Sequence, residues 1–148
     1  ELCYGLVVII LKSMKDYLNS RVKFREEFRP FAPAILFEHA KDYFKINQES
    51  PHMLIAVDVK EEKINEIPAV VHIDNTARVQ TVTKENNLNF RKLLESFYDI
   101  TDCPVILNTS FNVKGQPIVN TPEDALKCFL GTNIDVLILG NYFITKDN

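Results

Sequence analysis

The chain has 148 residues, of which 46% are hydrophobic and 25% charged, and its formal net charge is −3. This length and composition predict one globular domain and argue against a disordered, collagenous or coiled-coil protein. With 17 basic and 20 acidic side chains and no polybasic arm, the sequence does not indicate capture of nucleic acid by bulk charge. Any anion binding must therefore come from a few placed residues.

The cysteines and an apolar run near the start of the chain give information on the cellular location of the protein. Cys3, Cys103 and Cys128 lie far apart and form no Cys-x-x-Cys pair, which argues against a disulfide framework or zinc site and favours the cytoplasm. Residues 6–11 are apolar but too few to span a bilayer, which takes roughly 20 residues. A signal peptide would need a basic region before them and a small-residue cleavage site after them, and the sequence has neither. We therefore expect a buried strand or helix there, no membrane association, and, because the chain opens at Glu1, a fragment or processed chain.

Strand patterns dominate the first half of the chain. The segments with strand patterns are residues 35–37, 53–59, 69–73 and 77–82. Those with helical spacing are residues 14–21 and 38–46. Residues 60–66 form a charged turn, and Asp-Asn-Thr at 74–76 suits a tight connection between two short strands.

The second half contains the strongest helix signals. Residues 89–100 place one apolar face on a helix, formed by Phe90, Leu93, Leu94, Phe97 and Tyr98. Thr121 is predicted to cap a second helix that stops at Gly131. Its predicted inward residues are Ala125, Leu126, Phe129 and Leu130. The remaining strands are predicted at residues 104–107, 135–139 and 142–144. About seven strands and four helices predict an α/β fold, a mixed twisted sheet with helices packed on it.

The densest basic stretch is residues 21–30. If residues 22–25 are extended, Lys23 and Arg25 share one face of the strand. A lysine point charge beside a planar arginine fork suits a polyphosphate or an acyl phosphate. The alternative is a solvated edge in which Glu26 and Glu27 pair with these cations, and the stretch taken alone favours that alternative.

Polar residues follow the predicted strand at 104–107. Asn108, Ser110 and Asn112 stand where α/β proteins often place ligand groups, and their amides and hydroxyl could hold a nucleotide or a small planar amide. An ordinary turn that satisfies its own backbone explains them equally well. Arg78 begins a strand and would matter only if other cations converge on it.

The sequence predicts no metal site. The three histidines, His39, His52 and His72, have no metal-ligand spacing. Asp58 and Asp74 end or follow strands and are weak candidates for magnesium.

Five segments taken together resemble one family. Residues 22–36, 72–82 and 108–119, followed by 121–126 and 135–140, are similar in order and spacing to the C-terminal domain of the O-carbamoyltransferases, the nodulation and antibiotic-tailoring carbamoyltransferases. The resemblance extends from about Met14 to the end of the chain. Long blocks in order are a more specific signal than any short motif.

The resemblance implies a fold, an activity and a set of site residues. It implies a YrdC-like domain over residues 1–148 that joins ATP, with its Mg²⁺, and carbamoyl phosphate into carbamoyladenylate. An N-terminal actin/hexokinase-like domain, absent from these residues, would then transfer the carbamoyl group to a hydroxyl. Lys23, Arg25 and Arg78 are the implied catalytic cations. The implied substrate and nucleotide contacts are Arg29, Asn108, Ser110 and Asn112. Of these residues, Lys23, Arg25, Ser110 and Asn112 match the Lys-x-Arg and Ser-x-Asn tetrad of YrdC-like domains.

The sequence departs from the family pattern at two places. Asn75 stands where the family usually has glycine, and residues 1–13 lack the arginine block that contributes to the nucleotide site. Two other functions therefore stay open: a non-catalytic nucleotide- or anion-binding module, and a YrdC-type nucleic-acid-binding domain, which the negative charge disfavours.

Overall fold

The structure, a computed structural model, describes residues 12–24, 26 and 30–146. The α-helices in this part of the chain are α1 (Lys12–Arg21), α2 (Ala40–Tyr43), α3 (Leu88–Thr101) and α4 (Pro122–Leu130). The strands are β1 (Ala32–Leu36), β2 (Ala56–Asp58), β3 (Thr76–Arg78), β4 (Gln80–Val82), β5 (Val105–Asn108), β6 (Val136–Leu139) and β7 (Tyr142–Thr145). Three short 3-10 turns lie at Phe37–His39, Glu61–Lys63 and Pro68–Val70.

The central sheet has three strands in the order β4-β1-β5. Strand β1 runs parallel to β4 and antiparallel to β5, and Ala34 pairs with Gln80 on one side and Ile106 on the other. The other strands form two antiparallel pairs, β2 with β3 and β6 with β7. The predicted α/β class with a mixed sheet is thus confirmed, and the narrower expectation of a YrdC-like fold stays a prediction.

Both faces of the central sheet are buried. Ile35 points into one core cluster with Val105 and Leu107, whereas Ala34 and Leu36 point into a second cluster. This alternation follows from the pleat, which sends successive side chains to opposite faces. Pro33 lies one residue before the pairing with β4 begins, so its missing N–H does not interrupt that ladder.

Helices α3 and α4 confirm the two strongest helix predictions, with narrower apolar stripes than expected. On α3, Phe90 and Leu94 are buried, but Leu93 is 40% exposed. On α4, Ala125 and Phe129 are buried as predicted. Leu126 and Leu130 were expected to point inward and do not, because the stripe of this helix that packs on β6 is completed by Cys128 instead.

Two strand predictions in the middle of the chain are wrong. Residues 69–73 form a 3-10 turn at Pro68–Val70 followed by a turn, because Pro68 starts a tight helical turn that packs against α1. The predicted strand at 77–82 is divided at Val79 into β3 and β4, which belong to different sheets. Val79 is itself fully buried, and its carbonyl accepts a hydrogen bond from Ser50 Oγ at 2.8 Å.

Other predicted elements are shorter than the sequence suggested. The strand predicted at 53–59 is reduced to Ala56–Asp58, and the helix predicted at 38–46 becomes a 3-10 turn followed by Ala40–Tyr43. None of the helices in the described part of the chain is long and apolar enough to cross a membrane.

The N-terminus of α4 has the predicted cap. Thr121 Oγ1 accepts a hydrogen bond from the Asp124 backbone N–H at 3.1 Å, and Pro122 occupies the first helical turn. We expect Thr121→Ala to lower the free energy of unfolding by about 1 kcal/mol, because it leaves that N–H without its acceptor. Urea denaturation measures the change. Thr121→Ser keeps the hydroxyl and should stay near the wild-type value, and an equal loss in both variants would contradict the capping role.

Candidate functional site

Segments distant in the sequence meet at one edge of the central sheet. Because β5 is antiparallel to β1, its C-terminal end lies beside the N-terminal ends of β1 and β4. A cleft of ≈ 450 Å³ opens at this edge. It is lined by Pro30, Phe31, Ala32, Pro51, His52, Met53, Arg78, Gln80, Asn108, Thr109 and Ser110. The cleft therefore collects three of the predicted site residues: Arg78, Asn108 and Ser110.

A relay of amides fixes one wall of the cleft. Asn108 Nδ2 donates to Gln80 Oε1 at 2.7 Å, and Gln80 Nε2 donates to the Pro51 carbonyl at 3.0 Å. Asn108 is buried, so the orientation of its amide is set by this bond rather than by water. The wall presents fixed amide groups, which can recognise a planar polar ligand by directed hydrogen bonds.

The loop that carries Pro51 is fastened to β4 by one serine. The buried Ser50 N–H donates to Thr81 Oγ1 at 2.7 Å, and the Thr81 N–H donates to the Ser50 carbonyl at 3.0 Å. Met53, three residues later, has a φ of 55°, an uncommon conformation for a residue other than glycine. Such conformations cost about 1–3 kcal/mol each and persist only where the surrounding structure holds them.

Lys23 organises the loop next to the cleft. It is only 5% exposed, and its Nζ donates to the backbone carbonyls of Ser110 and Asn112, the latter at 3.0 Å. It also donates to Asn112 Oδ1 at 3.0 Å, which in turn accepts from Ser110 Oγ at 2.7 Å. One ammonium group thus gathers the oxygens of residues 110–112, and its charge lies within hydrogen-bond distance of Ser110, although Lys23 itself is not among the residues that line the cleft.

The backbone of the basic stretch, residues 21–30, differs from the extended strand that the sequence analysis considered. Residues 22–24 are not an extended strand: Val22 and Lys23 follow α1 in a turn, both are buried, and Phe24 has a φ of 49°. The chain turns there because the N–H groups of both residues bond back to the Leu18 carbonyl. Arg25 and Arg29 lie outside the described residues, so their place in the site stays a prediction.

Glu26, at the middle of the basic stretch, pairs with a lysine from another segment. Glu26 Oε1 lies 3.7 Å from Lys114 Nζ, which makes an exposed ion pair between this stretch and the loop after β5. Together with the Lys23 bonds, this pair ties the segment after α1 to residues 110–114. Lys23 is therefore buried, whereas Glu26 forms an exposed pair with Lys114, which lies outside residues 21–30, so this pair does not test the pairing that the alternative expected.

Carboxylates contribute little to this edge of the sheet. Asp58 pairs with Lys45 at 3.2 Å, and Asp74 accepts a hydrogen bond from Thr76 Oγ1 at 2.7 Å. In residues 12–24, 26 and 30–146, no three His, Cys, Asp or Glu side chains are grouped so that they could hold a metal ion. The cleft lining instead offers one guanidinium together with amide and hydroxyl groups.

Several lining residues were not singled out from the sequence. Gln80 follows Arg78 by two positions, and a strand would place both on one face, so this pattern could have indicated it. No local signal marks Pro51, His52 or Met53, because their loop reaches the cleft only through its bonds to β4.

The fold and cleft define an α/β domain with a cation and oriented amides at one sheet edge. A family model described as "Carbamoyltransferase C-terminus" matches residues 7–146. The chain therefore belongs to the family of carbamoyltransferase C-terminal domains.

Curated relatives agree with this assignment. The chain is 44% identical to "Nodulation protein NolNO" of Sinorhizobium fredii, and the match covers 89% of this chain and 20% of the relative. It is 40% identical to "Nodulation protein NolO" of Bradyrhizobium diazoefficiens, over 89% of this chain and 25% of the relative. An uncharacterized protein of Synechocystis is 46% identical over 90% of this chain and 25% of its own length. The chain thus spans about a quarter or less of these relatives.

Gln80 offers a test of the amide wall. We expect Gln80→Leu to lower the free energy of unfolding by about 1–2 kcal/mol, because it leaves the buried Asn108 amide without its acceptor. Gln80→Glu keeps an acceptor for Asn108 and should cost less stability, but its negative charge should weaken anion binding in the cleft. Urea denaturation and calorimetric titration with inorganic phosphate separate the two effects. Equal stability of wild type and Gln80→Leu would contradict the relay.

Proposed function

We propose that this domain activates a carbamoyl group, forming carbamoyladenylate from ATP and carbamoyl phosphate. The observation that carries the proposal is the convergence of Arg78, Asn108 and Ser110 in one cleft, with the Lys23 charge behind it, in a chain of this family. A guanidinium suits phosphate oxygens, and fixed amides suit the planar carbamoyl group. Cys103 and Cys128 are free thiols, which is in keeping with a cytoplasmic site of action.

The proposed chemistry proceeds in two balanced steps. Water cleaves carbamoyl phosphate into carbamate and inorganic phosphate. A carbamate oxygen then attacks the α-phosphorus of ATP, the bond to the β-phosphate oxygen breaks, and pyrophosphate leaves. Both steps bring polyanions together, so the protein contributes mainly by positioning them and by neutralising their charge.

Each cleft residue has a role in this scheme. Arg78 binds phosphate oxygens with its planar fork. Asn108, held by Gln80, orients the carbamoyl amide. Lys23 acts through Ser110 and Asn112 by holding their loop in place and adding positive charge behind it. Arg25 and Arg29 would add further contacts to phosphate. Mg²⁺ enters with ATP as part of the substrate and is held through phosphate oxygens and water.

Transfer of the carbamoyl group is a separate step. We propose that an N-terminal actin/hexokinase-like domain of the longer proteins receives the carbamoyladenylate and passes the carbamoyl group to a hydroxyl acceptor. The relatives are four to five times longer than the region that they share with this chain, which leaves room for such a domain.

Isotope exchange between pyrophosphate and ATP tests the activation step. We expect label to enter ATP only when carbamoyl phosphate and Mg²⁺ are present, and we expect the chain alone to give no carbamoylated product with any hydroxyl acceptor. Binding of ATP and carbamoyl phosphate is measured alongside by calorimetry. Binding without exchange would support a non-catalytic anion-binding module instead. No ligand-induced stabilisation at millimolar concentrations of either compound would contradict the proposed function.

A further inference from the structure

We propose that His52 completes the anion site of the cleft: its imidazole takes up a proton from solvent when the phosphate of a ligand binds to Arg78. The inference rests on the proposed function and extends it to a residue that the sequence analysis did not place in the site. The observation that carries it is that His52 and Arg78 line the same cleft of ≈ 450 Å³. Small-molecule sites range over roughly 300–1,000 Å³, so this cleft suits a small ligand in contact with more than one wall.

The loop that carries His52 is fixed at both of its ends. At its start, Ser50 is hydrogen-bonded to strand β4 through its N–H and its carbonyl. The next carbonyl, that of Pro51, accepts a hydrogen bond from the amide relay at 3.0 Å. At the other end of the loop, Ala56 begins β2 and pairs with Arg78 of β3. Residues 51–55 therefore connect two fixed points at the edge of the cleft, which holds the backbone of His52 close to the strand that carries Arg78.

The charges around the cleft call for a second cation. Among the described residues that line it, only Arg78 and His52 can carry a positive charge, and none is Asp or Glu. The phosphate of an acyl phosphate carries up to two negative charges, of which Arg78 compensates one. Lys23 binds the Ser110 carbonyl outside the cleft lining, and Glu49, which precedes the loop, is exposed and does not line the cleft. A proton on His52 compensates the second charge.

Histidine can supply this charge near neutral pH, because it is the side chain that ordinarily changes charge between about pH 5 and pH 8. A neighbouring anion favours the protonated imidazole, so binding of the anion and uptake of the proton reinforce each other. The affinity for the anion should therefore increase as the pH falls. His52 and Arg78 are both exposed in the unliganded chain, so protons exchange freely and the gain in affinity is limited by screening.

Sulfate is the probe for this inference. It is a tetrahedral dianion like phosphate, but its own charge does not change across the neutral range, so any pH dependence of its binding comes from the protein. We expect calorimetric titration at constant ionic strength to show binding about tenfold tighter at about pH 5.5 than at about pH 8, a factor typical of one added charge-assisted hydrogen bond. Titrations near pH 7 in two buffers of different ionisation heat should show that protons are taken up with sulfate.

Two substitutions of His52 distinguish a ligand contact from a structural role. His52→Gln keeps an N–H donor but takes up no proton, so its affinity for sulfate should stay near the wild-type value of about pH 8 at both pH values. His52→Lys carries a positive charge throughout this range, so its affinity should stay near the wild-type value of about pH 5.5. The ratio of affinities between the two pH values should fall below about twofold in both variants. Thermal melts of the variants should coincide with wild type, because His52 is exposed.

The other two histidines provide the matched controls. His39 lies 3.6 Å from Asp42, His72 Nδ1 lies 3.0 Å from a threonine hydroxyl, and neither residue lines the cleft. His39→Gln and His72→Gln should both keep the tenfold ratio. The inference is wrong if His52→Gln keeps that ratio, if either control loses it, or if sulfate binds to wild type equally well at both pH values.

Carbamoyl phosphate, titrated separately, distinguishes failure of this inference from failure of the proposed function. If wild type binds carbamoyl phosphate but His52→Gln leaves the pH dependence of sulfate binding unchanged, the role of His52 is wrong and the proposed function stands. If sulfate binds with the expected pH dependence but carbamoyl phosphate does not bind, the proposed function is wrong and the anion site stands. If neither compound binds, both are wrong.

Discussion

Replacement of Lys23 by methionine is expected to lower the free energy of unfolding by about 3 kcal/mol, because hydrogen bonds to a charged donor are stronger than neutral ones and several are lost at once. Methionine has a similar length but donates no hydrogen bond, so the oxygens of Ser110 and Asn112 lose their common donor. For a domain of this size the melting temperature should fall by about 6–12 °C. Urea denaturation and thermal melts followed by circular dichroism measure both quantities.

Lys45→Met is the matched control for this prediction. Lys45 also has a polar partner, Asp58 at 3.2 Å, but its side chain is 68% exposed. Exposed pairs of this kind contribute little, so the free energy of unfolding should change by less than about 0.5 kcal/mol. Similar losses in the two variants would show that the buried network around Lys23 does not hold the loop at 110–112.

Arg78→Ala is expected to weaken the binding of carbamoyl phosphate by about tenfold to a hundredfold. Charge-assisted hydrogen bonds contribute about 1.5–3 kcal/mol each, and each 1.4 kcal/mol corresponds to a factor of ten in affinity. Arg78 is exposed, so its removal should change the free energy of unfolding by no more than about 0.5 kcal/mol. Calorimetric titration at two salt concentrations measures the loss and its electrostatic part.

The substitution Arg78→Lys separates the effect of the charge of Arg78 on binding from the effect of its shape. Lysine keeps the positive charge but loses the planar fork, so it should recover only part of the lost affinity. Arg21→Ala is the control, since Arg21 is an exposed arginine that ends α1 and does not line the cleft. If Arg21→Ala weakens binding as strongly as Arg78→Ala, net charge rather than a placed guanidinium attracts the ligand.

The sequence predicted correctly the elements that depend only on interactions between neighbouring residues. The periodicity of α3 and the Thr121 cap of α4 predicted both helices, because spacing and capping depend on residues within a few positions of each other. The strand at 77–82 was misjudged because its division at Val79 depends on Ser50, which lies 29 residues away. Burial of Leu126 and Leu130 was misjudged for the same reason, since it depends on what packs beside α4.

The candidate site was predictable in its members but not in their arrangement. Polar residues after a strand and the family resemblance indicated Asn108, Ser110 and Arg78. That they share a cleft follows from the pairing of β1 with β4 and β5, which joins segments far apart in the sequence. The turn at Phe24 buries Lys23 among the oxygens of residues 110–112, whereas the sequence pattern alone had favoured a solvated edge and the family resemblance had implied that Lys23 faces phosphate.

The division of one predicted strand at Val79 has a mechanical consequence. Arg78 belongs to the antiparallel pair β2–β3 and Gln80 to the central sheet, and in the described part of the chain these sheets share no strand. Val79 thus connects two separate sheets, and its carbonyl is held by the hydrogen bond from the Ser50 hydroxyl. A ligand held by Arg78 and Asn108 at once would span that connection. Binding should then slow hydrogen exchange in the two-stranded β2–β3 pair more than in the three-stranded central sheet, because the ligand would connect the smaller sheet to the larger one.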